Sequence, residues 1–444
     1  MHQPHHTLYP HQIAPHICYN FGDRIYSHLV RSVYSVTLEI FGGEHRFEGC
    51  SYGCFIIDIN WIKLIEDDGI LKKFAFGLML ASVVTQELSL VLYLFTTKIT
   101  VDVLITTTAS MTIVFQSIIK SCIYYYDAHK LKKLIQIVHK EFWPADIMGE
   151  TTHRDIKNYS KILCVVFVIQ YISAILFLWF TVLLPLAKPG RQLPHTSWFP
   201  FDYTLSPTYE IIYVWEIYLT AYINANIVCA YDTLFCSICG NCISQFKLLS
   251  AAIKYIGSDK EGEISNKLIR LPGVDYKPKL TNRNKSDEEA RRLLIICVNH
   301  HQKLIKITQE LNQVFGSGHL VQFFASALGT CTACYKIPIE TNPGDLFVLI
   351  AFYIAHVSQL LEYCALSHEL SYWGIKFGDA VFESLWYTKQ FSEIRKCLPI
   401  IILRCQRAIS MNALGLFELN YPSFLGIMRF TFSLYTFLNN SATR

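Results

Sequence analysis

Apolar residues in this chain come in blocks long enough to cross a bilayer, and that restricts its fold more than any other feature. A spanning helix takes about 20 mostly apolar residues, and lipid forces every backbone polar group in it to find an internal partner. Six blocks meet or approach that length: Phe74–Thr96, Val101–Tyr126, Ile162–Leu186, a long one from Tyr209 to Cys242, His319–Tyr335 at the lower limit, and Leu346–Leu366. A seventh, Tyr421–Leu438, is weaker and carries Arg429 in its middle. The run Leu398–Leu403 is too short to span and is followed by Arg404 and Arg407, so it reads as cytoplasmic or interfacial. Composition agrees. Hydrophobic residues make up 52% and charged residues 17%, against about 25% charged in a soluble domain. A net charge of +4 is too mild to argue for nucleic acid. The first twenty residues hold five histidines and three prolines but no apolar run, so no cleavable signal peptide is expected.

The basic residues orient the blocks. On one side of the spans lie the segments before block one and between blocks two and three, four and five, and six and seven, with 32 Lys and Arg; the other side has 5. By the positive-inside rule the rich side is cytoplasmic. The expected fold is an all-α polytopic membrane protein with seven transmembrane helices, a cytoplasmic N-terminus and an extracellular C-terminus. This is the reverse of a G-protein-coupled receptor, and neither DRY after the third span nor NPxxY in the seventh occurs.

The cytoplasmic segments read as helical extensions. Leu131, Leu134, Ile135 and Val138 recur at helical spacing within 129–142, with Lys130, Lys132 and Lys133 on the other face. Ser286 and Glu289 form a capping box that opens a helix with apolar positions at Leu294, Val298, Ile305, Thr308, Leu311 and Phe315. Gly316 and Gly318 are candidate kinks. Lys254–Lys285, rich in Lys, Asp, Asn, Gly and Pro, reads as a flexible loop. The chain divides into a cytoplasmic segment 1–73, spans one to four over 74–246, a cytoplasmic loop and helix over 247–318, spans five and six over 319–366, a cytoplasmic anchor region 367–420, and span seven with a short tail over 421–444.

Several residue groups invite a chemical reading. His2, His5, His6, His11 and His16 lie in a Pro-punctuated tail, which reads as disordered rather than metal-binding. Cys236, Cys239 and Cys242, and Cys331 and Cys334, have zinc-like spacing but sit in spans without nearby histidines, where Cys is a small apolar residue. No metal or cofactor is expected. None of the 15 cysteines falls in an extracellular connector. The glycosylation patterns at Asn158, Asn284 and Asn439 are poorly placed for use. No Ser–His–Asp set, paired catalytic carboxylates or phosphate loop stands out, so an enzyme is not supported. Ionisable residues inside spans are functional candidates: Glu87, Lys120, Glu210, Glu216, Asp232, Glu362 and Arg429. Lys120, near the end of span two, is expected to snorkel.

Aromatic residues make up 14% of the chain and cluster toward one end of the spans. Phe177, Trp179 and Phe180 lie in span three, Tyr213, Trp215 and Tyr218 in span four beside Ile217, and Phe352 and Tyr353 in span six; Met111 and Phe115 lie deeper in span two. Interfacial belts and an aromatic cavity for a small apolar ligand both account for them.

The C-terminal third resembles the insect odorant receptor family. A Tyr-Cys pair at Tyr363 and Cys364 ends span six, and Trp386 and Tyr387 follow some twenty residues on. Then come Arg404 and Gln406, and a last span with Phe424, Ile427, Arg429, Ser433 and Tyr435 in the family's order. Trp198–Tyr213 and Asp232 match further family features, and Ala365 and Leu366 stand where a Gly is usual. The resemblance covers roughly residues 60–440. It implies a subunit of a ligand-gated, non-selective cation channel in the plasma membrane of olfactory sensory neurons, working as a heteromeric tetramer with an olfactory co-receptor. It places a small volatile odorant between spans two, three, four and six, which assigns Met111, Phe115, Phe177, Trp179, Phe180, Tyr213, Ile217, Phe352 and Tyr353 to the ligand. It makes span seven the pore helix and gives Asp232, Glu362, Arg404, Gln406, Arg429 and Ser433 structural or gating roles. A guanidinium facing a cation pore repels its ions, so Arg429 is expected to point into the subunit, toward Glu362 or Asp232. Ser433 should follow it inward or sideways. Thr431 and Leu434 then face the pore, with Leu438 at its mouth. A gustatory receptor shares this topology but usually carries a Thr-Tyr…Gln-Phe pattern that this last span lacks. A secondary transporter would show internal repeats, and none is visible.

Overall fold

The computed structural model describes residues 70–274, 276, 285–388 and 392–442. The histidine-rich tail, most of the segment 1–73, and Asn284 lie outside the described residues, as do the side chains of Ser286, Leu438 and Asn439.

Helices dominate, as the apolar blocks require. They are α1 (Ile70–Thr96), α2 (Val101–Tyr126), α3 (Ala128–Glu141), α4 (Glu150–Ala187), α5 (Thr208–Ile217), α6 (Ala225–Ile253), α7 (Glu261–Ile269), α8 (Lys285–Lys336), α9 (Pro343–Glu383), α10 (Ser392–Cys405) and α11 (Tyr421–Ala442). A seven-residue π-helical segment, Tyr218–Asn224, joins α5 to α6 without a break. Among the described residues, five helical stretches are long and apolar enough by themselves to cross a membrane: α1, α2, α4, α5 through α6, and α9. The spans in α8 and α11 fall short of that measure, because His319, Gln322, Ser326 and Thr330 dilute one and Arg429 the other.

The chain runs up and down between two unlike ends. Connectors at one end are short. Thr100 caps α2 by accepting from the Val103 N–H at 3.2 Å, and Asn342 caps α9 by accepting from Gly344 at 3.0 Å, with Pro343 in the first helical position. At the other end the helices run far beyond any bilayer thickness. The 52 residues of α8 continue unbroken through Gly316 and Gly318, so neither glycine kinks it. Gly318 serves close packing instead: a Cβ there would lie 2.0 Å from the Tyr231 Oη of α6. The divisions at 246/247, 318/319 and 366/367 all fall within continuous helices.

These extensions form a packed layer. In α3 the apolar stripe at Leu131, Leu134 and Val138 is buried, as its spacing predicts. Along α8, Leu294, Thr308, Leu311 and Phe315 are buried. The stretch 254–285 is not simply a loop. It holds α7, whose Ile264 and Leu268 bury against α8. Sequence composition hid this helix because three apolar residues sit among six polar or small ones. Gly257, at φ +86°, turns the chain into it where a Cβ would lie 2.2 Å from the Leu385 carbonyl oxygen. A two-stranded hairpin, Asn412–Ala413 with Phe417–Glu418, sits on α8 just before α11. Phe417 stacks on Phe323 at 4.3 Å. One apolar core runs through this end from α3 to α11, and a smaller cluster of Val83, Leu90, Val114, Leu219, Ile223 and Ile227 lies in the other half.

Candidate functional site

The half with short connectors contains a cavity of about 380 Å³ between α2, α4, the π-helical segment, the connector before α5, and the first turns of α9. The π-helix helps to build it. Thr220 and Asn224, one turn apart within it, both line the space. The connector folds back over the bundle because Glu216 holds it: the Ser197 hydroxyl donates to Oε1 at 2.6 Å and the His195 N–H to Oε2 at 3.2 Å. Ser89 adds a donation to the Trp198 carbonyl at 2.7 Å. His195 is thereby set into the cavity wall. Its Nε2 lies 2.8 Å from the Thr220 hydroxyl and its Nδ1 3.1 Å from the Ser110 hydroxyl. Burial lowers its pKa to about 4, so the ring is neutral at pH 7.

The walls differ along the cavity. Ile113, Val114, Phe177, Leu178, Val348 and Phe352 give an apolar surface. Phe177 and Phe352 meet at a centroid separation of 5.6 Å. Lys188, Lys336, Glu340 and Asp345 ring the end nearest the short connectors, and Lys188 pairs with Asp345 at 2.8 Å.

Of the nine residues expected at a ligand, the cavity gathers Phe177 and Phe352. The other seven lie elsewhere. Trp179 is 51% exposed on the outer surface of the bundle, as are Phe115 and Phe180, the last against Phe347. Tyr213 is buried but donates its hydroxyl to the Val182 carbonyl at 2.5 Å. Met111 packs on the small apolar cluster, and Ile217 and Tyr353 are half-buried outside the cavity lining. Aromatic clustering finds the depth of the cavity but cannot tell which face of a helix is inward. The polar cavity residues Ser110, His195, Thr220 and Asn224 were missed. The sequence signal for them was weak: hydroxyls and amides at helical spacing in otherwise apolar spans, plus a histidine in a connector.

Below the cavity, toward the extensions, lies a second polar centre. The Lys120 ammonium is fully buried and pairs with Asp232 Oδ1 at 2.6 Å, also donating to Gln322 Oε1 at 3.0 Å. Tyr363 donates to the same carboxylate at 2.5 Å, and Gln359 donates to Oδ2. Lys120 does not snorkel. A charge this deep requires a partner, and Asp232 on α6 supplies it. The expected partnership of Arg429 with Asp232 or Glu362 is therefore absent. Glu362 is itself buried, and Arg429 is exposed on α11.

The face of α11 is the reverse of the expected one. Thr431 is turned inward, 3% exposed, with its hydroxyl 3.1 Å from that of Thr330 on α8, and Ile427 is buried beside it. Arg429 and Ser433 are exposed and Leu434 is half-buried. Apolar packing decided this: Ile427 is buried and Phe424, a turn before it, packs against the subunit core, so Arg429, two residues past Ile427, falls on the opposite face. Arg404 is half-buried at the end of α10, where its guanidinium reaches the Arg407 carbonyl at 3.4 Å, and Gln406 is exposed.

The cysteine triplet of α6 is wholly packed, with Cys236, Cys239 and Cys242 at zero exposure, and Cys239 Sγ reaches the Leu366 carbonyl at 3.6 Å.

The arrangement has known counterparts. Residues 100–432 match the 7tm Odorant receptor family. Odorant receptor Or2 of Anopheles gambiae is 23% identical over 256 residues, covering 57% of this chain and 62% of that protein. Odorant receptor 85b of Drosophila melanogaster is 20% identical over 255 residues, 57% and 58% of the two chains. The chain thus spans about three fifths of the length of these curated relatives. The insect olfactory receptor OR5 from Machilis hrabei shares the fold with a TM-score of 0.71 at 16% identity, over 86% of this chain and 96% of that one. A second structure, of that receptor in complex with eugenol, superposes with a TM-score of 0.72. With one family covering most of the chain and the same fold in a solved insect olfactory receptor, the chain belongs to the seven-transmembrane insect odorant receptor family.

Proposed function

We propose that this chain is the ligand-binding subunit of an odorant-gated, non-selective cation channel, and that the odorant occupies the cavity between α2, α4, the π-helix and α9. The observation that carries this reading is the cavity itself: a space of about 380 Å³, walled by Phe177, Phe352 and Val348 and closed by a connector that Glu216 holds in place. Its size falls in the range of small-ligand sites. The eugenol complex of the Machilis receptor supports small-molecule binding within this fold. The long extensions of α8 and α9 are suited to join subunits, consistent with a heteromeric tetramer that includes an olfactory co-receptor. The exposed face of α11, with Ser433, is the face available to a pore or a neighbouring subunit. The charge asymmetry supports an extension end in the cytoplasm and a C-terminus outside, and in this reading the receptor acts in the plasma membrane of olfactory sensory neurons.

Co-expression with an insect olfactory co-receptor and recording of currents over an odorant panel tests the reading. Odorant-evoked cation currents that need both chains are expected. Phe352→Ala should shift the concentration–response curve about 10-fold, and Trp179→Ala less than about 2-fold. Equal effects at the two positions would remove the cavity from the account. An N-terminal tag that antibody reaches in intact cells would overturn the orientation.

A further inference from the structure

A row of hydrogen bonds at the polar side of the cavity ends one partner short. It starts at the Ser110 hydroxyl, 3.1 Å from His195 Nδ1, and His195 Nε2 lies 2.8 Å from the Thr220 hydroxyl. Thr220 accepts from Gln86 Nε2 at 3.2 Å, and Gln86 Oε1 accepts from Asn224 Nδ2 at 3.0 Å. Each residue in the row is buried apart from Ser110, which is half-buried. At the last of them the row stops. Asn224 is 1% exposed and lines the cavity, yet its Oδ1 has no hydrogen-bond partner. Buried carbonyl oxygens are rarely left so, because water is lost and nothing replaces it. The position is held by the π-helical segment, an irregularity that costs regular helix geometry and recurs at functional sites. Counted along α2, the π-helix and α9, which all enter from the same end, Val114, Asn224 and Phe352 mark the deep end of the cavity. Asn224 therefore sits at the apolar, deep end of the cavity rather than at the charged mouth.

We propose that the ligand of this cavity is an alcohol or phenol, whose O–H donates to Asn224 Oδ1 while its carbon body lies against Phe177 and Phe352. This rests on the reading of the cavity as the odorant site. Esters, ketones and ethers of the same skeleton carry acceptors only and would set oxygen against oxygen at Asn224. If both amides turn over, Nδ2 faces the ligand instead and ethers and esters also accept from it, so the methylation ratio tests the arrangement of the row together with the ligand class. Hydrocarbons satisfy neither arrangement.

The test uses cells co-expressing the full chain and an insect olfactory co-receptor. The panel holds straight-chain alcohols, aryl alcohols and phenols, each with its O-methyl and O-acetyl derivative and the parent hydrocarbon. The strongest agonists should be hydroxyl compounds, with O-methylation raising the half-maximal concentration at least ~10-fold, the behaviour of a site built around a substrate hydroxyl. Asn224→Leu, of similar shape and without the oxygen, should shrink that ratio to within ~2-fold. Surface biotinylation reports whether the variant reaches the membrane; where it does not, the unmodified receptor's ratio decides. Ester, ether or hydrocarbon agonists as potent as the alcohols overturn the ligand class and leave the receptor reading standing. So does a methylation ratio that survives Asn224→Leu. Absence of any odorant current, in cells where a co-receptor agonist opens channels, overturns both.

Discussion

The two ends of this bundle are built from the same helices and packed differently. At the extension end, α6 from Cys236 to Ile253 is almost completely buried, enclosed by α3, α4, α8 and α9. At the connector end, α4 presents Ile169, Ile172, Leu176, Trp179, Leu183 and Leu186 to its surroundings, and its inward side borders an open cavity rather than a filled core. A dense core resists change of shape, because a small loss of volume or contact is felt throughout it. A cavity closed by a connector resting on a few polar contacts yields more easily. The proposed ligand site thus lies where the structure is soft, on a frame that holds its shape. The Lys120–Asp232 centre lies between the two and ties α2, α6, α8 and α9 together.

Breaking that tie should have the largest effect. Asp232→Leu leaves the Lys120 ammonium buried without a counter-charge, a loss of about 3–5 kcal/mol, and surface expression should fall to near zero. Adding Lys120→Met removes the stranded charge and should restore part of the surface protein. A double variant no better than the single one would show that the pair does not act as a unit.

The frame itself can be strained at Gly318. An alanine Cβ there meets the Tyr231 hydroxyl, and overpacking of this kind costs about 1–3 kcal/mol. Gly318→Ala should lower the melting temperature in detergent by several degrees. Gly415, with no atom near its absent Cβ but a φ of +78°, is a comparison site outside the core.

Much of the frame was legible in the sequence, because an apolar block needs no tertiary information to be recognised as a span. The stripe of α3 was equally plain, since Leu131, Leu134 and Val138 repeat at helical spacing. Orientation about a helix axis was harder to read. Trp179 and Phe177 are two residues apart in one apolar block, and only packing decides that Phe177 faces the cavity. Thr431 and Arg429 were transposed for a related reason: the pore argument considered the charge of Arg429 but not the packing of Ile427 and Phe424. Lys120 and Asp232 are 112 residues apart, and nothing local pairs them. Asn224 depended on a π-helical register that sequence pattern does not reveal.

The frame also carries a pH dependence through two buried histidines. His300 and His301, on the extension of α8, are buried neutral. His300 stacks on Trp143 at 4.1 Å and its Nε2 lies 3.0 Å from Gln245 Oε1. Burial lowers the His300 pKa to about 3 and that of His301 to about 4. Unfolded histidines titrate near ~6.5, so the unfolded chain takes up these protons first. Stability is then fully present above pH ~6.5 and declines as pH falls toward those folded values, by up to about 1.4 kcal/mol per pH unit for each histidine. Melting temperature in detergent should fall below pH ~6.5, and less steeply in His300→Phe, which keeps the ring against Trp143. An acid-independent melting temperature would mean that these rings meet water.

The division into a frame and a ligand cavity is tested most directly by filling the cavity and leaving the frame intact. Ile113 lines the cavity from α2 and is half-buried. Ile113→Trp should occupy part of the volume without touching the Lys120–Asp232 centre. In cells that also express the co-receptor, concentration–response curves would be recorded for an odorant agonist and for an agonist of the co-receptor. The account predicts that the odorant response of the Trp variant falls at least ~10-fold in sensitivity while the co-receptor response stays within ~2-fold. An odorant response unchanged by the filled cavity would contradict it.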